Sequence, residues 1–188
     1  MTSEAKRLVS EVALRHLDAA YNLGRWLLGS EQDAADAVHD AFVRASMAAA
    51  TYAGGNARAW WLAIVRNCCL ARLANRRRDY ANVAIDQVAR EHGSDAAEAL
   101  LDHSDADAVE KRVEQIQHQV LIAQHLRNVP IEFREVLILR EIEEMSYREI
   151  ADVLQVPIGT VMSRLARARA QLQQALRPVT TSEVTHGL

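Results

Sequence analysis

Two short helical patterns separated by a tight break, close to the C-terminal end, constrain the fold of this chain more than any other feature. The first begins with Ser146 as predicted N-cap and Glu149 three residues later, the spacing of a capping box. Pro157 follows it, and proline disfavours helical geometry in the residue before it and donates no backbone hydrogen bond. The sequence therefore predicts one helix over 146–154 and another over 158–176.

The second of these helices has an apolar face and a basic, polar face. Its apolar positions are Val161, Leu165, Ala168 and Leu172. Its polar positions are Thr160, Ser163, Arg164 and Arg167. Four arginines and no acidic residue occur between Ile158 and Arg177, which suits phosphates and guanine edges in a DNA major groove. The pattern favours a DNA-binding helix-turn-helix; the alternative is an ordinary helix with a solvated arginine face.

Charge is distributed unevenly over the chain of 188 residues, although the net charge is only −3. Residues 66–78 contain five arginines and no acid, whereas residues 86–110 contain eight acidic side chains and one arginine. Two basic regions are thus separated by an acidic stretch, which makes a nucleic-acid-binding protein compatible with the negative total.

The cysteines and histidines exclude several classes of site. Cys68 and Cys69 are adjacent, so they form no ordinary disulfide framework, and without a histidine at ligand spacing they make no convincing zinc site. No nucleophile–base pair or phosphate-binding glycine loop is present, so we expect no enzyme, catalytic residue, metal, cofactor or small-molecule substrate. The N-terminus has no continuous apolar run, and we expect a cytoplasmic protein without membrane insertion.

Helical periodicity throughout the chain predicts an all-α protein of two small helical domains, joined by a flexible acidic linker. The predicted helices span about 4–28, 32–49, 56–78, 107–127, 130–144, 146–154 and 158–176. The predicted segments are a domain at 1–78, a linker at 79–106, a helix-turn-helix domain at 107–178 and a tail at 179–188. The linker is interpreted as a tether, or alternatively as an acidic strip that occupies a basic groove.

The N-terminal half carries acidic residues and tryptophans, and each of these groups has two possible roles. The acids of the helix DAADAVHDAFVRA suit its N-terminal dipole and a protein-docking face better than acid–base catalysis. Trp60, with Ile64 four residues on, is expected in the core. Trp61 is assigned equally to the core and to the support of unstacked bases beside the basic helix.

Three blocks in this order resemble the extracytoplasmic-function sigma factors of bacteria: DAADAVHDAFVRA, WWLAIVRNCCLARLANRRR and VPIEFREVLILREIEEMSYREIADVLQVPIGTVMSRLARARAQL. The resemblance covers residues 10–78 and 115–177. It implies a non-enzymatic initiation factor that binds core RNA polymerase and promoter DNA and is controlled by an anti-sigma factor.

The resemblance also assigns roles to individual residues. It implies polymerase docking by Asp36, Val38, His39, Asp40 and Phe42. It implies contact with the melted −10 element by Tyr52, Asn56, Trp61, Arg66, Asn67, Arg72, Arg76 and Arg77. It implies reading of the −35 duplex by Thr160, Ser163, Arg164 and Arg167. The chain departs from the common family pattern at His39, Trp61, Ala71 and Met162.

Two other functions compete with this interpretation. A sigma-like decoy would sequester an anti-sigma factor without touching a promoter, but it need not keep both arginine tracks. A helix-turn-helix repressor would leave the first 78 residues unexplained and would usually dimerise. The sequence does not identify the signal, the promoter sequences, the anti-sigma factor or any role for Cys68 and Cys69.

Overall fold

The computed structural model describes residues 3–49, 52, 54–83, 124–126 and 128–175, and this part of the chain is helical without β-strands. The helices are α1 Ser3–Arg15, α2 Leu17–Leu28, α3 Glu31–Ala48, α4 Ala57–Val83, α5 Ile131–Leu137, a π-helical turn Ile138–Ile142, α6 Tyr147–Leu154 and α7 Ile158–Ala175. The predicted all-α class is confirmed. The predicted linker from residue 84 onward, most of the predicted helix 107–127 and the tail 179–188 lie outside the described residues.

The predicted helix 4–28 is two helices, because the backbone departs from helical geometry at His16 (φ −119°, ψ 27°). Hydrogen bonds still cross this point, from His16 N to Val12 O and from Ala20 N to His16 O, each at 3.1 Å. The break is therefore a local distortion between nearly continuous helices. Neither glycine nor proline stands there to signal it in the sequence.

Two adjacent residues make the turn between α2 and α3. Gly29 adopts the left-handed conformation (φ 71°), and its N–H donates to the carbonyl oxygen of Arg25 at 2.8 Å, which ends α2. The hydroxyl of Ser30 accepts a hydrogen bond from the backbone N–H of Asp33 at 3.3 Å and caps the start of α3. The predicted boundary of α3 is confirmed to within one residue.

Small residues bring α2 and α3 into close contact. A Cβ atom added to Gly24 would lie 3.2 Å from both Cα and Cβ of Ala34, so the two backbones meet where neither helix has a large side chain. The buried alanines of α3 recur at helical spacing: Ala34, Ala37, Ala41 and Ala45. This contact orients α3 so that its acidic residues Asp33, Asp36 and Asp40 lie beside the buried stripe, within reach of the arginines of α4.

Helix α4 is longer than the sequence predicted. It runs from Ala57 to Val83, whereas the predicted helix ended at residue 78. Its inward face contributes Trp61, Leu62, Val65, Cys68 and Cys69 to the core. No proline or glycine follows the arginine run, which explains why α4 continues past it.

The predicted helix 130–144 changes geometry before its end. Helix α5 stops at Leu137, and a π-helical turn leads to Glu143, whose N–H donates to the carbonyl oxygen of Ile138 at 3.0 Å. Glu144 then takes a positive φ of 53°. This turn buries the side chain of Glu143 and redirects the chain into α6.

The helix-turn-helix forms as the sequence predicted. The hydroxyl of Ser146 accepts from the N–H of Glu149, whose carboxylate accepts from the N–H of Ser146, which completes the capping box. Helix α6 ends at Gln155 in the left-handed conformation (φ 55°). Val161, Leu165 and Ala168 of α7 are buried, as the apolar stripe predicted.

The N-terminal half (α1–α4) and the C-terminal half (α5–α7) pack directly against each other. Helix α4 contacts α6, and α2 contacts α5 and the π-helical turn. The amide of Asn22 donates to the carboxylate of Glu143 at 3.2 Å, and a guanidinium nitrogen of Arg134 donates to the carbonyl oxygen of Leu27 at 3.3 Å. The two halves of the chain thus meet in a closed arrangement.

Candidate nucleic-acid interface

The outward face of α7 presents most of the residues that were expected to read duplex DNA. Ser163 and Arg167 are exposed and Thr160 is half-buried, on the side opposite the buried stripe of α7. Met162, in place of the basic residue common in the family, lies beside them and is 53% exposed. Arg167 makes no ion pair within the described part of the chain, so its guanidinium can bind DNA without losing an existing partner.

Arg164 is held differently from Arg167. Its Nη1 atom lies 3.4 Å from Oε1 of Glu135, a carboxylate that is 1% exposed beneath the helix-turn-helix. Arg66 of α4 binds the same carboxylate with two hydrogen bonds, Nε to Oε2 at 2.6 Å and Nη2 to Oε1 at 3.0 Å. Two arginines expected at different promoter elements therefore share one buried anion.

Sequence reasoning missed two residues of this face. Glu135 lies within an apolar run of the sequence, where an acidic residue is expected to point to solvent. Its role as the shared partner of two arginines is apparent only once distant helices are packed together. Arg148 is exposed on α6, the helix preceding the recognition helix, and adds a cation there. Its position in the first turn of a helix-turn-helix could have indicated a phosphate contact.

The loop before α4 holds aromatic and glycine residues in one compact turn. Gly54 and Gly55 have φ of 90° and 100°, a conformation that favours glycine. The hydroxyl of Tyr52 donates to the carbonyl oxygen of Gly55 at 2.8 Å, and its ring lies 5.0 Å from that of Trp60. An exposed loop beside two aromatic rings is a suitable place to hold an unstacked base.

The two tryptophans differ in burial, and the structure fits the core interpretation of Trp61. Trp61 is 0% exposed in the N-terminal core, so its assignment to −10 DNA does not fit the structure. Trp60 is only partly buried and contacts Tyr52. Helical geometry explains the difference, since consecutive residues point about 100° apart and only one of the pair can face the core fully.

The arginines of α4 divide into paired and exposed residues. Arg72 Nη2 lies 2.7 Å from Oδ2 of Asp40 and its Nη1 3.5 Å from Oδ2 of Asp36. Arg76 forms an ion pair with Asp33. Asn67 and Arg77 are exposed. Several residues predicted for DNA and for polymerase docking therefore bind each other across α3 and α4.

The expected docking face on α3 borders an apolar groove. Phe42 and His39 are exposed at its edge, whereas Val38 is 8% exposed and belongs mainly to the core while also lining the groove. The groove has a volume of about 540 Å³. Its lining includes Ala13, Leu14, Leu17, Tyr21, Val38, His39, Phe42 and Trp61.

The cysteines are not placed for reactivity. Burial raises the pKa of the Cys69 thiol to about 12, and burial also raises the pKa of Cys68. Both thiols stay protonated at neutral pH, so neither is a ready nucleophile or metal ligand. Among the described residues, no group of histidine, cysteine and carboxylate side chains is arranged to hold a metal ion. No helix in the described ranges is long and apolar enough to span a membrane.

The capping box gives the helix-turn-helix a measurable pH dependence. Hydrogen bonds from the backbone and hydroxyl of Ser146 lower the pKa of Glu149. A lowered folded pKa stabilises the fold fully above the unfolded value of about 4.3, and this contribution is lost as pH falls through the folded pKa. We expect Glu149→Gln, which keeps a capping side chain, to have a Tm below that of the original chain by an amount that shrinks between about pH 6 and pH 3. A Tm difference that is constant with pH would contradict this.

Comparison with known protein families identifies the family that has this arrangement of helices. The family model of Sigma-70 region 2 matches residues 12–79, and that of Sigma-70 region 4 matches residues 120–172. The RNA polymerase sigma-H factor of Pseudomonas aeruginosa is 31% identical over 153 residues, which cover 79% of this chain and 75% of that protein. The chain belongs to the sigma-70 family. Within it, the relatives below place this sigma factor in the extracytoplasmic-function (ECF) group.

The sigma factor is 32% identical over 171 residues to the ECF RNA polymerase sigma factor SigE of Mycolicibacterium smegmatis, over 88% of this chain but about 60% of that protein's length. It is 29% identical over 161 residues to the ECF RNA polymerase sigma factor SigW of Bacillus subtilis, over 85% of this chain and 84% of that protein.

Solved structures share the fold. The sigma factor RpoE of Bartonella quintana, in complex with the anti-sigma factor NepR, matches with a TM-score of 0.65 and 24% identity over 89% of this chain and 95% of that one. CnrH, in complex with the cytosolic domain of CnrY, matches with a TM-score of 0.59 and 23% identity over 93% of each chain. The all-helical fold of this sigma factor is therefore shared with RpoE and CnrH.

Proposed function

We propose that this sigma factor gives core RNA polymerase its promoter specificity by binding the core enzyme and the −10 and −35 promoter elements. The observation that carries the proposal is the presence, in one chain, of an exposed recognition face on α7 and a glycine–aromatic loop beside the basic helix α4. A repressor needs only the first of these. An initiation factor needs both, because it must recognise duplex DNA and also hold melted DNA.

The −35 element is proposed to be read by α7 as duplex DNA. Thr160, Ser163 and Arg167 face outward at the N-terminal part of a helix that follows a tight turn, where a recognition helix contacts base edges. Arg164 supplies a fourth contact when its guanidinium leaves Glu135. Arg148 is proposed to bind a flanking phosphate.

The −10 element is proposed to be held by the loop that ends at Asn56 and by α4. Extruding a base costs a few kcal/mol, which stacking and phosphate contacts must offset. Tyr52 and Trp60 offer the stacking surface, and Asn67 and Arg77 lie exposed farther along α4 for the sugar–phosphate backbone. Arg72 and Arg76 act there less directly, since Asp40 and Asp33 already bind them.

Polymerase docking is proposed for the exposed edge of α3. Asp36, His39 and Phe42 share the outward side of this helix, and Phe42 lies at the apolar groove. Phe42 is 36% exposed, and such an apolar side chain with acidic neighbours suits a protein partner. Asp40 contributes mainly through its ion pair with Arg72.

Control by an anti-sigma factor is proposed as well. One solved structure with this fold is the sigma factor RpoE in complex with the anti-sigma factor NepR, and another is CnrH in complex with the cytosolic domain of CnrY. The groove of about 540 Å³ is lined mostly by apolar side chains, which an amphipathic helix of a partner can fill.

Transcription in vitro with purified core polymerase and a promoter library tests the proposal. We expect initiation from a discrete set of promoters that depends on this sigma factor. Binding to core polymerase without initiation would instead support the decoy, and duplex binding without core binding would support a repressor.

Arg167 is expected to contribute more to −35 recognition than Arg164. Arg167→Ala removes an exposed guanidinium that has no ion-pair partner in the described chain, and we expect a loss of about 1–3 kcal/mol in binding to the −35 duplex. Arg164→Ala is expected to cost less, because binding DNA requires Arg164 to leave Glu135. Titration of fluorescent duplex DNA with each variant measures both. Unchanged affinity for Arg167→Ala would show that another face of α7 reads the DNA.

A further inference from the structure

Helix α7 carries three exposed apolar residues beside its polar recognition face. Ile158 is 46% exposed and Met162 is 53% exposed, and Ala166 is exposed as well. The three residues are four positions apart, so they follow one another along one side of the helix. We call them the apolar row. Single exposed apolar side chains are common on proteins, but a continuous row beside a binding surface indicates a contact.

The apolar row adjoins the residues that are proposed to read duplex DNA. Successive residues of an α-helix point about 100° apart, so Met162 and Ser163 are neighbours around the outward side of α7. Ala166 and Arg167 repeat this relation one turn later, and all four residues are exposed. The recognition face therefore consists of an apolar row and a polar row, which would enter a major groove together.

Contacts within the chain leave the apolar row open to a ligand. The buried stripe of α7 lies to one side of it, with Val161 and Leu165 in the core. Arg169, farther along the helix, pairs with Glu141 at 2.6 Å. A Cβ atom added to Gly159 would meet no atom within 4 Å, so the space in front of the first turn of α7 is free.

The major groove offers the C5-methyl group of thymine to such a row. The other features that base pairs present there are hydrogen-bond donors and acceptors, which alkyl and thioether side chains do not satisfy. The side chain of Met162 is unbranched and flexible, so it can adjust to the position of a methyl group. Ala166 is small and lets the helix approach the base edges closely.

Charge and size favour DNA over a protein as the partner of the apolar row. Between Ile158 and Arg177 the sequence contains four arginines and no acidic residue, which is complementary to a groove lined by phosphates. The row is one side chain wide, whereas a stable protein interface buries about 800 Å² on each partner around an apolar centre. A narrow apolar row between cations suits methyl groups in a groove.

We propose that the apolar row of α7, with Met162 at its centre, selects promoters by packing against the C5-methyl group of a thymine in the −35 element. The polar row supplies hydrogen bonds and phosphate contacts, and the apolar row adds a base preference through burial of the methyl group. This inference deepens the proposed function and rests on the reading of the −35 duplex by α7.

Replacement of thymine by deoxyuridine tests the inference, because it removes only the C5-methyl group. Promoters that the holoenzyme, this sigma factor with core RNA polymerase, selects from a library with a randomised −35 region are expected to share a thymine at one fixed position. Deoxyuridine at that position should weaken holoenzyme binding about fourfold, which corresponds to about 0.8 kcal/mol for one buried methyl-sized group. Fluorescence anisotropy with an unchanged −10 element measures both affinities.

Met162→Gln connects the preference for thymine to the apolar row. It replaces an apolar side chain with a polar one of similar length, and we expect the affinity ratio of thymine to deoxyuridine promoters to fall from about four to about one. Met47→Gln is the matched control, since Met47 is 76% exposed on α3 and its replacement should leave the ratio unchanged. Each ratio compares two DNAs with one protein, so a general loss of stability or of core binding cancels.

The outcomes separate this inference from the proposed function. Initiation from selected promoters that share no −35 thymine, or that bind equally well with deoxyuridine, would overturn methyl recognition and leave the proposed function standing. A ratio that Met162→Gln does not change would also overturn it. Weaker core binding by Met162→Gln, with the ratio retained, would identify a protein as the partner of the apolar row. Absence of any sequence selection, by the holoenzyme and by the chain alone, would overturn both proposals.

Discussion

Replacing Trp61 with alanine is expected to lower the free energy of unfolding by about 3–5 kcal/mol, the range for removal of a large aromatic side chain from a core. Trp61 is 0% exposed and is among the largest fully buried side chains of the described chain. It packs in the α1–α4 core beside Leu62 and Val65. Urea unfolding followed by circular dichroism measures the loss.

Trp60→Ala is the matched comparison, because it makes the same change at the next residue of the same helix. Trp60 is only partly buried, so its removal should cost clearly less stability while weakening binding to single-stranded −10 DNA. Trp61→Phe should retain most of the stability, since no acceptor for the indole N–H lies among the described residues. If Trp60→Ala proved the more destabilising variant, the packing of α4 described here would be wrong.

Features determined by local sequence were predicted well. The capping box at Ser146 and Glu149 and the apolar stripe through Val161 and Leu165 each depend on residues close together in the sequence. Their hydrogen bonds and periodicity can therefore be predicted from the sequence without knowledge of the neighbouring helices. The same locality explains why the boundaries of α3, α6 and α7 agree with the predictions to within one residue or so.

Distortions without a marker residue were not predictable. The break at His16 has neither proline nor glycine, and the π-helical turn after Leu137 lies within an ordinary run of apolar and acidic residues. Each interrupts regular α-helical geometry between segments that both contribute residues to the core. Such a distortion depends on packing between distant helices, which periodicity within one segment does not report.

The sequence predicted which helices of the site are charged, but it did not predict which charged side chains form ion pairs with each other. A basic helix can face DNA or an acidic helix, and its own sequence is the same in both cases. The signal that could have distinguished them is the helical spacing of Asp33, Asp36 and Asp40 on α3 and of Arg72 and Arg76 on α4. Two such complementary rows fit antiparallel helices that pair their charges, as Arg72 does with Asp36 and Asp40 and Arg76 with Asp33.

Whether an arginine is paired with a carboxylate changes how much it contributes to DNA binding. A guanidinium with a carboxylate partner binds phosphate only by giving up that partner, so its net contribution to DNA affinity is smaller than that of an unpaired arginine. Arg77 and Arg167 have no ion-pair partner within the described residues, whereas Arg66 and Arg164 share Glu135. Affinity for promoter DNA is therefore expected to depend on which of these pairs open.

Glu135→Ala is expected to destabilise the folded chain by about 3 kcal/mol. Removing one partner from a buried ion pair typically costs about 3–5 kcal/mol, and the low end applies because Arg66 and Arg164 retain some exposure. The change deletes a carboxylate that is 1% exposed and accepts two hydrogen bonds from Arg66. Urea unfolding at neutral pH measures the loss.

Glu141→Ala separates burial from charge in this prediction. Like Glu135, Glu141 pairs with an arginine of α7, but both members of the Glu141–Arg169 pair are about half exposed, so its loss should change stability little. Glu135→Gln, which keeps the shape and one acceptor oxygen, should fall between the two alanine variants. Equal losses of unfolding free energy for Glu135→Ala and Glu141→Ala would mean that Glu135 stabilises the fold no more than an exposed charge does. A loss confined to Glu135 would instead identify the buried carboxylate as the group that holds α4, α5 and α7 together.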